Sequence, residues 1–137
     1  MEYPIYYTVE EAKLLLPVVE EKVLRLLKIH KALEFLNTIH VENTQRDHTV
    51  DLMITKLNMN YYKKLYHYHK CLTELLTIGV VVKDIQKGLV DFYAKYEGRD
   101  VHLCWKLGEK EIGHWHETHE GFSGRQPIHL LQQKHLL

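Results

Sequence analysis

The chain lacks the residues that mark several protein classes. With two cysteines in 137 residues, Cys71 and Cys104, it builds no disulfide framework and no C-x-x-C metal knuckle. Two reduced thiols suit a cytoplasmic protein, and that location is the expectation. No run approaches the ~20 apolar residues of a membrane span, so no membrane partner is expected. The opening "MEYPIYYTVEEA" has neither the basic nor the apolar segment of a secretory signal. Excess charge is missing too, with 18 Lys plus Arg against 18 Asp plus Glu. That balance argues against a chain built mainly to wrap DNA, which needs a strongly basic face. It leaves room for a local basic patch.

Histidine is the abundant residue. Eleven are dispersed along the chain, so its charge climbs as pH falls through ~6.5. The length suits a single domain spanning 1–137 with one modest core.

"YTVEEAKLLLP" opens with a capping box, Thr8 toward the Glu11 amide and Glu11 back toward Thr8. Val9, Ala12, Leu16, Val19, Val23, Leu26, His30 and Leu33 then step by threes and fours, which predicts one apolar stripe on a helix ~45 Å long. Pro17 should bend or split it. Residues 40–49, "HVENTQRDHT", form a polar connection. A second stripe follows in Ile54, Leu57, Tyr61, Leu65, Tyr68, Leu72 and Leu75, with Gly79 placed to end it in the left-handed conformation. Two long helices with a short connection predict an antiparallel hairpin over 8–78. Leu14, Val18 and Leu24 fall off the first stripe and need cover from the rest of the chain or a second subunit, so a homodimer is expected.

From Val80 the pattern changes. "VVVKDI", "LVDFYA", "VHLCWK" and "EIGHWHE" are short, rich in β-branched and aromatic residues, and separated by glycine-bearing turns. They predict a small antiparallel β-meander of three to four strands over 79–128, followed by a tail at 129–137. The fold class is α+β.

Register decides what the acidic residues do, because side chains alternate faces along a strand. A two-residue Lys87-Gly88 turn would set Asp84 opposite Asp91, a repulsive pair that wants a metal or arginine between them. A three-residue turn would instead set Lys83 opposite Asp91, an ordinary ion pair. A turn around Gly108-Glu109 would put Val101, Leu103, Trp105, Ile112, His114 and His116 on one face, with Cys104 and Trp115 on the other. His114 and His116 then project together ~7 Å apart at Cα. Such a pair chelates a divalent ion when carboxylates such as Glu109, Glu117, Asp84 or Asp91 complete the set. The structural alternative is two histidines hydrogen-bonded at the sheet rim. In "GFSGRQP", Arg125 supplies a planar fork for a carboxylate or phosphate. It either clamps a small anion or ties the tail to Asp84 or Asp91.

"GVVVKDIQKGLVDF" (79–92), "LCWKLGE" (103–109), "WHETHEGFSGRQPI" (115–128) and, more weakly, "YTVEEAKLLLP" (7–17) resemble the uncharacterised prokaryotic family known as domain of unknown function 2203. The resemblance spans nearly the whole chain and implies no activity. It implies a shared pattern of Lys83, Asp84, Gly88, Asp91, Phe92, Cys104, Trp105, Gly108, Glu109, Trp115, His116, Gly121 and Arg125. His114 and His119 match no position of it, and Tyr93 stands where the pattern favours proline. The emphasis moves to His116 with Glu109, Asp84 or Asp91.

The leading functional expectation is a divalent-metal site (zinc, manganese or iron) or a small-anion site in the β region, with catalysis left open. Its metal candidates are His116, Glu109, Asp84, Asp91 and His114, and its ligand-binding candidates are Arg125, Lys83, Trp105 and Trp115. The alternative is a non-enzymatic interaction module presented by the hairpin. There "NYYKKLYHYHK" (60–70) interleaves aromatics with Lys63, Lys64 and Lys70 in a manner suited to RNA or a ribosomal partner. The simpler account makes Tyr61, Leu65 and Tyr68 core and the lysines solvated, so nucleic acid ranks below a small ligand. A third possibility, Cys104 as nucleophile, is disfavoured by the register that sets it opposite the histidines.

Overall fold

The computed structural model describes residues 3–39 and 47–135. Helices α1 (Val9–Asn37) and α2 (His48–Thr77) precede strands β1 (Val80–Asp84), β2 (Leu89–Tyr96), β3 (Arg99–Lys106), β4 (His114–Glu117) and β5 (Gln126–Pro127). A last helix, α3 (Ile128–His135), follows. The architecture is the expected α+β helical hairpin and β-meander. The sheet carries a short fifth strand beyond the three to four expected, and residues 128–135 are helical in place of the expected tail.

The Thr8 capping box forms, with the Glu11 amide donating to Thr8 Oγ1 at 3.1 Å and the Thr8 amide to Glu11 Oε1 at 3.1 Å. Pro17 does not split α1. Buried Leu16 and Val19 flank it and hold both halves of the helix on one core. The second helix begins six residues before Ile54 because Asp47 caps it, accepting from the Val50 amide at 2.9 Å. The remainder of the expected polar connection, residues 40–46, lies outside the described residues. Gly79, at φ +84°, ends the descent from α2, and a Cβ there would sit 2.9 Å from that of Ile5. The helices run antiparallel, since Lys22 pairs with Glu74 while His30, two turns further along α1, meets Tyr68, earlier in α2. Leu14, Val18 and Leu24 stay exposed. Among the described residues, the chain does not cover them.

Strand order in the sheet is β1-β2-β3-β4-β5. Between β2 and β3, Glu97 (φ 50°) and Gly98 (φ 75°) make a two-residue turn with both residues left-handed, matching the twist of the strands they join. This turn pairs Tyr96 with Arg99, and so Phe92 with Leu103 and Asp91 with Cys104. Val90, Phe92, Val101, Leu103, Trp105 and Trp115 share the face toward the helices. There they join Ala12, Leu16, Val19, Val23, Leu26 and Leu75 in one core.

Two expected registers are corrected. Val81, not Asp84 or Lys83, lies opposite Asp91, and an irregularity between Val82 and Asp84 sets Asp84 against Leu89. The cause is a longer turn, closed by the Gly88 amide donating to the Ile85 carbonyl at 3.1 Å and by Asp84 Oδ1 accepting from the Lys87 amide at 3.2 Å. The connection from β3 to β4 covers residues 107–113 rather than a tight turn at Gly108-Glu109. Leu103 therefore pairs with Trp115, and Cys104 with His114. That one-residue slip exchanges the faces. Cys104 joins the histidines, and Trp115 joins the core.

Candidate functional site

On the sheet face away from the helices, three adjacent strands present Asp91 from β2, His102 and Cys104 from β3, and His116 from β4. Their exposures are 1%, 4%, 0% and 2%. Charged and imidazole groups are rarely this buried unless they are paired or hold a metal. Donor atoms of Asp91, Cys104 and His116 all lie within 4.8 Å of one another. A tetrahedral metal with bonds of roughly 2.0–2.3 Å needs its donors about 3.3–3.8 Å apart. Holding such an ion would draw the more widely spaced of these donors together.

The orientation of His116 is informative. Its Nδ1 lies 2.8 Å from the Glu117 carbonyl, which can only accept, so Nδ1 carries a proton. Its other nitrogen, Nε2, lies 3.2 Å from Asp91 Oδ1. In the neutral ring that nitrogen is a lone pair facing a carboxylate oxygen. Such a contact needs a proton between the two atoms, carried by the imidazole or the carboxyl, or a metal ion in its place. The carbonyl bond is also the arrangement that aims a metal-binding histidine.

His102 approaches the other carboxylate oxygen. Its Nδ1 lies 3.2 Å from Asp91 Oδ2 but out of hydrogen-bond alignment, and its Nε2 has no hydrogen-bond partner among the described residues. Tyr93 packs edge-on against it, with ring centroids 4.6 Å apart. Burial pushes the Asp91 carboxyl up, yet His102 and His116 together outweigh burial and hold it below its ordinary value. Burial, reinforced by the Asp91 charge, pushes the Cys104 thiol up to about 12. Without a metal, Cys104 is a protonated thiol at neutral pH. A bound divalent cation would reverse that, because coordination favours the thiolate.

Of the sequence-derived candidates, only Asp91 and His116 stand in this cluster. His114 lies on the same face but leans toward Glu109, with Nδ1 3.7 Å from Oε2. Glu109 is engaged elsewhere. Both its oxygens accept from Arg125 Nη2, at 2.7 and 2.8 Å, Oε1 also accepts from the Lys106 amide, and its carbonyl accepts from Trp105 Nε1. Arg125 thus ties the C-terminal segment to Glu109, neither to Asp84 nor to Asp91, and its Nη2 already holds a carboxylate. Asp84 serves its turn, and Lys83 is exposed on β1. Trp105 and Trp115 lie on the helix side of the sheet.

One member of the cluster, His102, is not among the candidates read from the sequence, and Cys104 enters there only as a disfavoured nucleophile and as part of the family's shared pattern. The H-x-C spacing in "VHLCWK" puts them on one face, and the Glu97-Gly98 turn sets that face against Asp91. These two signals together would have found them.

No curated protein and no solved structure matches this chain. A family model matches residues 5–128 and is described as "Uncharacterized conserved protein (DUF2203)". The chain belongs to that family, DUF2203.

Proposed function

We propose that Asp91, Cys104 and His116 bind a divalent metal ion, with zinc the best fit. A thiolate selects thiophilic and borderline metals over hard ones such as magnesium or manganese, and imidazole with carboxylate completes many zinc sites. The observation that carries the reading is the His116 nitrogen facing Asp91 Oδ1 at 3.2 Å with its other nitrogen committed to a carbonyl. An ion there relieves the facing lone pairs and gives the buried thiol a role. Three protein donors leave a fourth position for water or a small anion.

The test is cobalt(II) titration of protein purified without an immobilised metal. A thiolate-to-cobalt charge-transfer band, one equivalent of uptake, and loss of both in Asp91→Ala, Cys104→Ser and His116→Ala are expected. No stoichiometric uptake, with melting unchanged by zinc or chelator, rejects the site.

One observation favours a second reading, in which the hairpin docks a partner. Between Leu52 and Thr73, α2 carries four lysines and no acidic residue. Tyr62 and Tyr66, one turn apart, are each 64% exposed. Lys56, Lys63 and Lys70 recur every seven residues beside them, a column that would repel its own copy in an antiparallel self-pairing. Salt-sensitive binding of single-stranded RNA, retained in Arg125→Ala but lost when Lys63 and Lys64 become glutamate, is the expected result. Binding indifferent to those lysines excludes it.

A further inference from the structure

We infer that His102 is the positioning residue of this centre, acting on the metal through Asp91 rather than touching it; the inference rests on the metal reading above. His102 does not belong to the set of mutually close donors, which is Asp91, Cys104 and His116. Its Nδ1 instead stands 3.2 Å from the carboxylate oxygen that His116 does not face. The carboxylate is therefore addressed from both sides, with Oδ1 toward His116 and Oδ2 toward His102. A ligating carboxylate free to swing gives up affinity, and one held through its second oxygen presents the first in a fixed direction.

Burial and packing fit that role. At 4% exposure His102 cannot turn to solvent to satisfy its nitrogens, and a buried polar group left unpaired is costly. The Nδ1 contact is at hydrogen-bonding distance but out of line, so the bond is poised rather than made. Two rings restrict the imidazole. Tyr93 meets it edge-on at 88°, and the His116 ring lies 5.2 Å away at 87°. Tyr93 is itself held by Tyr3 and Tyr6, at 6.3 and 6.4 Å. With its ring so confined, His102 keeps its Nδ1 at hydrogen-bonding distance from an acceptor that belongs to the proposed ligand Asp91. The geometry makes His102 a brace for the carboxylate.

The discriminating experiment compares wild type, His102→Ala and His102→Asn. Zinc affinity is measured by competition with a chromophoric chelator, and the cobalt(II) spectrum and melting temperature are recorded alongside. An asparagine amide can place an N–H close to where Nδ1 stands, so it restores the brace without supplying an imidazole ligand. Expected is a loss of roughly 10–100-fold in affinity for His102→Ala, with the thiolate charge-transfer band kept and His102→Asn within a few-fold of wild type. If His102→Ala binds zinc as tightly as wild type while only its melting falls, the residue is structural and the inference fails, though the metal centre stands. If His102→Asn is as weak as alanine, the brace is likewise refuted. Should His102→Ala not fold, the asparagine variant alone decides. Failure of wild type to take up metal removes the centre and this inference with it.

Discussion

Along β2, β3 and β4, consecutive side chains alternate between two environments that share one backbone. Phe92, Leu103, Trp105 and Trp115 meet the helices, where burying each large apolar side chain contributes about 1.5–3 kcal/mol. Asp91, His102, Cys104 and His116, one residue along in each case or nearly so, are just as buried. Their burial works against the fold unless every charge and polar atom is compensated. His102 has both nitrogens without an aligned hydrogen bond. The helix face accounts for its own burial. The other face does not, and that asymmetry is the reason to look for function there.

The contrast breaks most visibly at Trp105. Trp105→Ala removes the largest fully buried side chain, and the expected loss is about 3–5 kcal/mol in denaturant unfolding. Metal stoichiometry of the folded fraction should hold, because the indole points away from the cluster. A loss below about 1 kcal/mol would mean that the helix face does not carry the fold.

On the polar face the comparable effect appears with pH. The Cys104 thiol is raised from 9.0 to about 12 in the folded protein, so folding favours its protonated form. Its contribution is fully present below 9.0 and is lost as pH rises toward 12, at most about 4 kcal/mol. Metal-free wild type should therefore lose more stability over this range than Cys104→Ala does. Parallel losses in the two proteins would show that the thiol is not held neutral by its surroundings.

How far the sequence reveals each face follows from periodicity. The stripe from Val9 to Leu33, the capping box at Thr8, the stop at Gly79 and the α+β class all follow from local patterns, and the structure contains them. Strand existence is equally local. The register between β3 and β4 is not, and the place of His116 beside His102 depends on it. Expecting a tight turn at Gly108-Glu109 moves Cys104 and Trp115 to the wrong sides, because the real connection is stabilised by long-range partners. Arg125 grips Glu109 from sixteen residues away, and no local rule anticipates that grip. Asp91 and His116 carry their own chemical signal, so they can be named from the sequence. His102 acquires significance only once Tyr93 and Asp91 are placed beside it.

Replacing the cluster sharpens the contrast from the other direction. Asp91→Leu, His102→Leu and His116→Leu introduced together convert the polar face to an apolar one of similar bulk. Buried ionic groups exchanged for packed hydrophobic ones are commonly neutral or stabilising by about 1–4 kcal/mol. Metal-free stability should be unchanged or raised within that range, while cobalt uptake disappears. If the triple variant is instead several kcal/mol less stable, the cluster is a keystone of the fold. The asymmetry between the faces would then be structural.

The smallest effect concerns what assigns residues to faces at all. Gly98 sits at φ +75° with nothing within 4 Å of the point a Cβ would occupy, so Gly98→Ala meets no clash and feels only the left-handed backbone. The expected cost is about 1 kcal/mol. Gly88 differs, since a Cβ at φ +64° would come within 2.5 Å of the Leu107 Cβ, and Gly88→Ala should cost more. Because Gly98→Ala weakens the turn without shifting register, both faces should lose stability together, with zinc affinity and the cobalt spectrum of the folded protein unchanged. An altered spectrum would mean that the turn had slipped, carrying Asp91 out of line with Cys104 and showing that Gly98 fixes the pairing on which the site depends.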